Sequence, residues 1–146
     1  MMFQQARDEV VTTCVRLADK GYLAGTGGNV ALRVDDDHFL VTPSSMDYYA
    51  MRPKDICVMR LTEVMQIEGE KGPSVEASLH AKVLTARPDC KASLHTHQPI
   101  AGAFSLLAMD LKVEDPDAIA LLGERIPCAS YAPSGTGWLA KRVGQA

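Results

Sequence analysis

Between Val30 and Gly69 the sequence repeats one pattern: a short apolar run, then a few turn-forming residues. Val30 to Val34 read as a strand, "DDD" at 35–37 as a turn, and "HFLVT" from His38 as the returning strand of a hairpin. "TPSS" at 42–45 is a loop, "ICVMRL" at 56–61 a third strand, and "EVMQIEG" a shorter fourth. Adjacent strands in this order point to antiparallel pairing, and the flanking helices make the class α/β or α+β. Residues 3–20 predict a helix, with Phe3, Ala6, Val10, Cys14 and Leu17 at three- or four-residue spacing and Gly21 as its stop. A second helix is expected over 75–86, with Val75, Leu79 and Val83 on one face. Ser74 is placed to cap it and Arg87-Pro88 to end it. "CKASLHTH" at 90–97 is a strand, "PIAGAFSLLA" a short helix, 111–131 fit no single element, and a last helix starts near Trp138.

Length and composition narrow the function classes. With 146 residues, 47% of them hydrophobic, the chain suits one globular domain with a sizeable core. The net charge is −3 and the two signs are well mixed, so no basic block points to nucleic acid and no polybasic face to a membrane surface. No window approaches the run of about 18 apolar residues that a spanning helix needs. The N-terminus lacks a basic-then-apolar signal pattern. Cys14, Cys57, Cys90 and Cys128 are scattered with no C-x-x-C pair, which fits reduced thiols in a cytoplasmic protein.

Two of the four histidines stand one residue apart, in "SLHTH". On a strand, side chains alternate with period two, so His95 and His97 point to the same face and their imidazoles can reach one ion. A catalytic zinc site commonly takes three protein ligands and leaves a position for water or substrate. The same pair also suits hydrogen-bonded decoration at a strand end, and the residues alone leave both readings open. His38 follows three aspartates at a turn and reads as solvated. His80 reads as a helix histidine packed at the core edge. Glu76 lies one helical turn before His80 and shares its face. Glu76 suits a metal shell, an acid/base role, or a solvated place near the helix dipole.

"GTGGN" at 25–29 is free of bulk, and exposed N–H groups in such a nest bind anions. It precedes a strand, so a dinucleotide-binding or P-loop reading fails, and an ordinary turn is its plain alternative. "TPSS" offers two hydroxyls, and Ser74 a hydroxyl at a helix N-terminus, a natural phosphate seat or simply a cap.

Taken in order, "GTGGN", "VTPSS", "PSVEASLH", "RPDCKASLHTH" and "IPCASYAPSGTGWLA" resemble the class II aldolase/adducin family, in its fuculose-phosphate aldolase type. The resemblance runs from the first helix to the last residue. It implies a three-layer α/β/α sandwich around a mostly antiparallel sheet, with residues 1–146 as one domain. It implies a homotetramer in the cytoplasm, active in sugar and pentose catabolism on a phosphorylated sugar. It also implies a divalent metal, usually zinc, on His95, His97 and a third histidine. That third histidine is expected in a segment beyond Ala146, so the chain is expected to lack the C-terminal part of a family domain. Carried over by position, Glu76 is the acid/base, and Gly28, Asn29, Ser44, Ser45 and Ser74 line the phosphate site.

The implied reaction is reversible cleavage of a ketose 1-phosphate to dihydroxyacetone phosphate and an aldehyde through an enediolate. Three departures from the type bear on this. Val75 stands where a second phosphate-binding serine is usual. Ser45 stands where glycine is usual. Pro116 stands near the position of a proton-donating tyrosine, while Tyr131 reads as packing at a strand end. The alternatives within the family are an epimerase, dehydratase or decarboxylase of a sugar phosphate. Outside enzymes, the alternative is an adducin-like interaction module.

Overall fold

Period-two alternation gives this sheet two apolar faces, and each face is covered by a different helix. The computed structural model describes residues 1–146. Helix α1 (Gln4–Asp19) leads into β1 (Asn29–Arg33), β2 (His38–Val41), β3 (Cys57–Arg60) and β4 (Met65–Glu68), with a single 3₁₀ turn at Pro53–Asp55. Helix α2 (Ala77–Ala86) and β5 (Ala92–His95) follow. The sheet order is β4-β3-β2-β1-β5, and every pairing is antiparallel.

The register sorts the side chains. Leu32 pairs with Leu40, and Leu40 with Val58; this row packs toward Val10 and Cys14 of α1. Ala31 pairs with Val41, and Val41 with Cys57; this row, with Phe39 and Met59, packs toward Ala77, Ala81 and Leu84 of α2. The three-layer α/β/α arrangement follows from that alternation. Phe39 and Leu84 are fully buried, and each contributes about 2–3 kcal/mol by leaving water. Arg7 fixes how α1 sits. Its buried guanidinium donates to the carbonyls of Pro53 and Ile56 and pairs with Glu68 of β4.

One element differs from expectation. The second helix begins at Ala77, not 75, and its buried face is Ala77, His80, Ala81 and Leu84. Val75 precedes the helix and is 64% exposed, and Leu79 and Val83 are only half-buried. Small Ala77 and Ala81 let the helix axis approach the sheet, which longer Val or Leu would hold away. His80 consequently lies fully buried rather than at the core edge.

Beyond β5 the chain forms α3 (Pro99–Leu106), β6 (Leu111–Lys112), α4 (Pro116–Leu122) and β7 (Arg125–Ile126), the last two strands making a separate antiparallel pair. Residues 111–131 thus resolve into a strand, a helix and a strand. Helix α5 (Gly137–Val143) packs on α2 through buried Ala140.

Candidate active site

The site arises where β1 and β5 end together. Asn29 is paired with His95, and Ala31 with Ser93, so Asn29, Ser93 and His95 all project to the α2 side of the sheet. At that end the apolar packing gives way to polar side chains. Glu76 immediately precedes α2, and its carboxylate is 5% exposed against them.

Backbone bridges bring the loops in. Pro43 and Pro73 form an isolated bridge, with Ser74 N–H donating to Thr42 O and Ser44 N–H to Gly72 O. This draws the "TPSS" loop beside the residues preceding α2. The glycine loop closes as a turn, Gly27 N–H donating to Ala24 O at 2.9 Å. Gly28 is required, and Gly27 is closely packed. A Cβ on Gly28 (φ +85°) would lie 2.7 Å from His95 O, and one on Gly27 would lie 3.2 Å from His97 Nδ1. Tyr48, buried beneath, donates its hydroxyl to Gly28 O at 2.6 Å and Gly27 O at 3.2 Å. Burial and nearby Cys14 push that phenol up to about 12, so it stays a donor.

Gly28, Asn29, Ser44, Ser45, Ser74, Glu76, His95 and His97 all line one pocket of about 160 Å³. Strand β5 stops at His95, so His97 lies past the pleat, yet the two imidazole centroids are 4.9 Å apart. Ser45 sits at φ +53°, in the left-handed region that favours glycine, with its Oγ 3.5 Å from Ser44 Oγ. Thr26, Met46, Tyr48, Val75 and Ser134 also line it, whereas Pro116 and Tyr131 do not reach it. A larger hollow of about 620 Å³ beside α2 and α5 carries Lys82 and Lys141 but no histidine or carboxylate.

The Glu76 carboxylate is held from three sides. Ser134 donates to Oε1 at 2.8 Å, Asn29 Nδ2 donates to Oε2 at 3.0 Å, and His95 Nδ1 contacts Oε2. Burial alone would raise its pKa, but the hydrogen bonds from Asn29 and Ser134 and the His95 imidazole outweigh it, leaving the pKa below its usual value. Nothing in the sequence singled out Ser134. It reaches Glu76 from a loop 58 positions away.

The donor set fits a divalent metal in part. His95 Nδ1 is buried against Glu76 and has no other polar partner. A second imidazole and a carboxylate stand beside it, the ligand types that zinc takes. No three His, Cys, Asp or Glu side chains of this chain converge as a complete metal shell. The histidine pair therefore fits as part of a shell.

The three-layer fold that carries this pocket has known relatives. The profile of the class II aldolase and adducin N-terminal domain matches residues 8–146, and the chain belongs to that family. It is 33% identical over 141 residues to the 5-deoxy-D-ribulose 1-phosphate aldolase of Bacillus thuringiensis, covering 96% of this chain and 65% of that enzyme's length. It is 32% identical over 123 residues to the methylthioribulose-1-phosphate dehydratase of Serratia proteamaculans, covering 84% of this chain and 57% of that one. The fold superposes on a solved L-fuculose 1-phosphate aldolase with a TM-score of 0.90 at 28% identity, covering 99% of this chain and 69% of that one.

Proposed function

We propose that residues 1–146 form one class II aldolase-like domain that cleaves a ketose 1-phosphate reversibly to dihydroxyacetone phosphate and an aldehyde. The observation that carries this reading is the buried Glu76 carboxylate held against His95, with the His97 ring adjacent. His95 and His97 are the metal ligands this chain contributes. They would hold a divalent metal, zinc by family resemblance, which when bound would supply Lewis acidity typically worth several kcal/mol.

Glu76 moves the proton. In the cleavage direction the hydroxyl beyond the breaking carbon–carbon bond loses its proton and becomes the aldehyde carbonyl. The enediolate carbon gains one proton to complete dihydroxyacetone phosphate. A carboxylate held ionised suits the first of these transfers, and general base catalysis of this kind contributes roughly 10²–10⁴ in rate. Gly28, Asn29, Ser44, Ser45 and Ser74 form the phosphate seat, so binding energy at the far end of the substrate goes into orientation.

The relatives' length leaves room for a third ligand outside these residues. Exposed apolar side chains on α3 and α4, with Leu106 at 89% and Leu121 at 86%, support a homo-oligomer, a tetramer by resemblance. We place the protein in the cytoplasm, in sugar catabolism. No helix is long and apolar enough to cross a membrane.

Metal content by mass spectrometry, joined to a retro-aldol assay over several ketose phosphates, tests the reading. His95→Ala and His97→Ala should each reduce bound metal and activity together. A protein that binds no divalent metal would point instead to an adducin-like interaction module.

A second reaction on the same groups, dehydration, epimerisation or decarboxylation of a sugar phosphate, is favoured by Val75. It lines the pocket, largely exposed, and offers no hydroxyl to a phosphate. A substrate screen with products identified by mass separates the two reactions.

A further inference from the structure

Behind Glu76 lies a chain of buried polar groups that the proposed chemistry does not use directly. Asn29 Nδ2 donates to Glu76 Oε2, Asn29 Oδ1 meets His80 Nε2, and His80 Nδ1 lies 2.8 Å from Ser93 Oγ. His80 is fully buried, and Asn29 and Ser93 are each 8% exposed.

The direction of every proton follows from one end of this chain. An ionised carboxylate only accepts, so Asn29 must turn its NH₂ toward Glu76. The atom left facing His80 is then the amide carbonyl, which also only accepts. His80 Nε2 must therefore carry the ring proton. In a neutral imidazole Nδ1 is then bare, and it accepts from the Ser93 hydroxyl. Burial, the largest influence, secures neutrality and lowers the His80 pKa to about 4.

We propose that His80 is a positioning residue: as the Nε2–H tautomer, with Nδ1 accepting from the Ser93 hydroxyl, it locks the Asn29 carboxamide with its NH₂ aimed at Glu76. With the other tautomer, His80 would present a lone pair to Asn29 Oδ1. The amide would then gain by flipping, and its carbonyl would face the Glu76 carboxylate. Ser93 owes its place to the same strand alternation that orients His95, and His80 lies one helical turn beyond Glu76. One strand and one helix thus supply both the groups at the reacting centre and the pair that aims them. The catalytic consequence rests on Glu76 moving the proton; the tautomer does not.

Long-range ¹H–¹⁵N spectra of the labelled 146-residue chain at neutral pH read the tautomer with no metal or substrate present. The expected result is an unprotonated Nδ1 and a protonated Nε2 at His80, with slowly exchanging Asn29 side-chain amide protons. His80→Leu should speed that exchange, and His80→Gln, which keeps an N–H donor, should restore much of the protection. In turnover, His80→Leu should lower kcat about tenfold to a hundredfold with KM little changed, and His80→Gln should recover part of the loss. An Nδ1–H tautomer in the unaltered protein overturns the proposal without any variant having to fold. Asn29 exchange that is indifferent to His80 also overturns it. If the unaltered chain shows no retro-aldol activity, the aldolase reading fails, while the spectra still decide the tautomer.

Discussion

The sheet with α1 and α2, and the segment from residue 96 to residue 131, are built from comparably apolar sequence and end up in opposite states. The first holds both core clusters. The second contains no buried residue at all, although Ile100, Leu106, Leu107, Leu121 and Tyr131 lie along it. Apolar side chains leave water only where a second layer meets them. In the sheet, helices on both faces provide that layer. In α3 and α4 this chain provides none, so their apolar surface stays available for association. The site stands at the seam, with Asn29, Glu76 and His95 from the packed part, His97 from the start of the exposed one and Ser134 from just beyond its end.

The contrast can be broken first at the site. Glu76→Gln should lower retro-aldol turnover by roughly 10²–10⁴ while circular dichroism stays unchanged. Undiminished turnover would remove Glu76 from the chemistry. Stability measurements then sharpen the comparison between the two parts. Leu84→Ala, at a fully buried position, should cost about 2–5 kcal/mol in urea unfolding. Leu106→Ala, at 89% exposure, should stay within about 0.5 kcal/mol in dilute solution. Equal costs at the two positions would show that residues 96–131 are packed after all.

Acid should weaken the packed part through its buried polar groups. His80 titrates near 6.5 in the unfolded chain and near 4 when folded, so between those values the unfolded chain binds more protons. Stability therefore falls as pH drops from about 6.5 to about 4, by about 3 kcal/mol for this residue. Glu76 acts in the same sense. Its folded pKa is lowered, so its contribution is present above the usual carboxylate range and is lost as pH falls through the folded value. Denaturant midpoints measured across this range should decline and then level off, and His80→Gln should flatten the upper part of the decline. A flat profile in the unaltered protein would contradict the buried neutral imidazole.

The smallest effect is on thiol reactivity. Burial pushes Cys14 up to about 12 and is the main reason Cys57 rises to about 11, whereas Cys90 and Cys128 are partly exposed. Maleimide should label the latter two in the native protein and all four after unfolding. Rapid native labelling of Cys14 would show that α1 leaves the sheet readily.

Much of this architecture was legible in the sequence. Strands expected at 30–34, 38–42 and 56–61 occur at Asn29–Arg33, His38–Val41 and Cys57–Arg60, because turn residues bracket each apolar run. The expected pocket residues do meet. The face of the second helix was misread because Val75, Leu79 and Val83 form as regular a stripe as Ala77, Ala81 and Leu84, and helical periodicity cannot say which stripe finds the sheet. Residues 111–131 stayed open because two-residue strands and a seven-residue helix are too short to show a period.

What the sequence determined by itself was local: roughly where the first helix and the first strands lie, that residues two apart on the fifth strand share a pleat face, and that 25–29 form a glycine-rich loop. Only the tertiary structure decided that Ser134 and Asn29 close on the same carboxylate, and that His80 becomes the buried end of a hydrogen-bond chain. Alternation and turn chemistry act over a few residues, so a linear reading captures them. Convergence of groups such as Glu76 and Ser134, 58 positions apart, depends on strand register and helix docking, which no short window encodes.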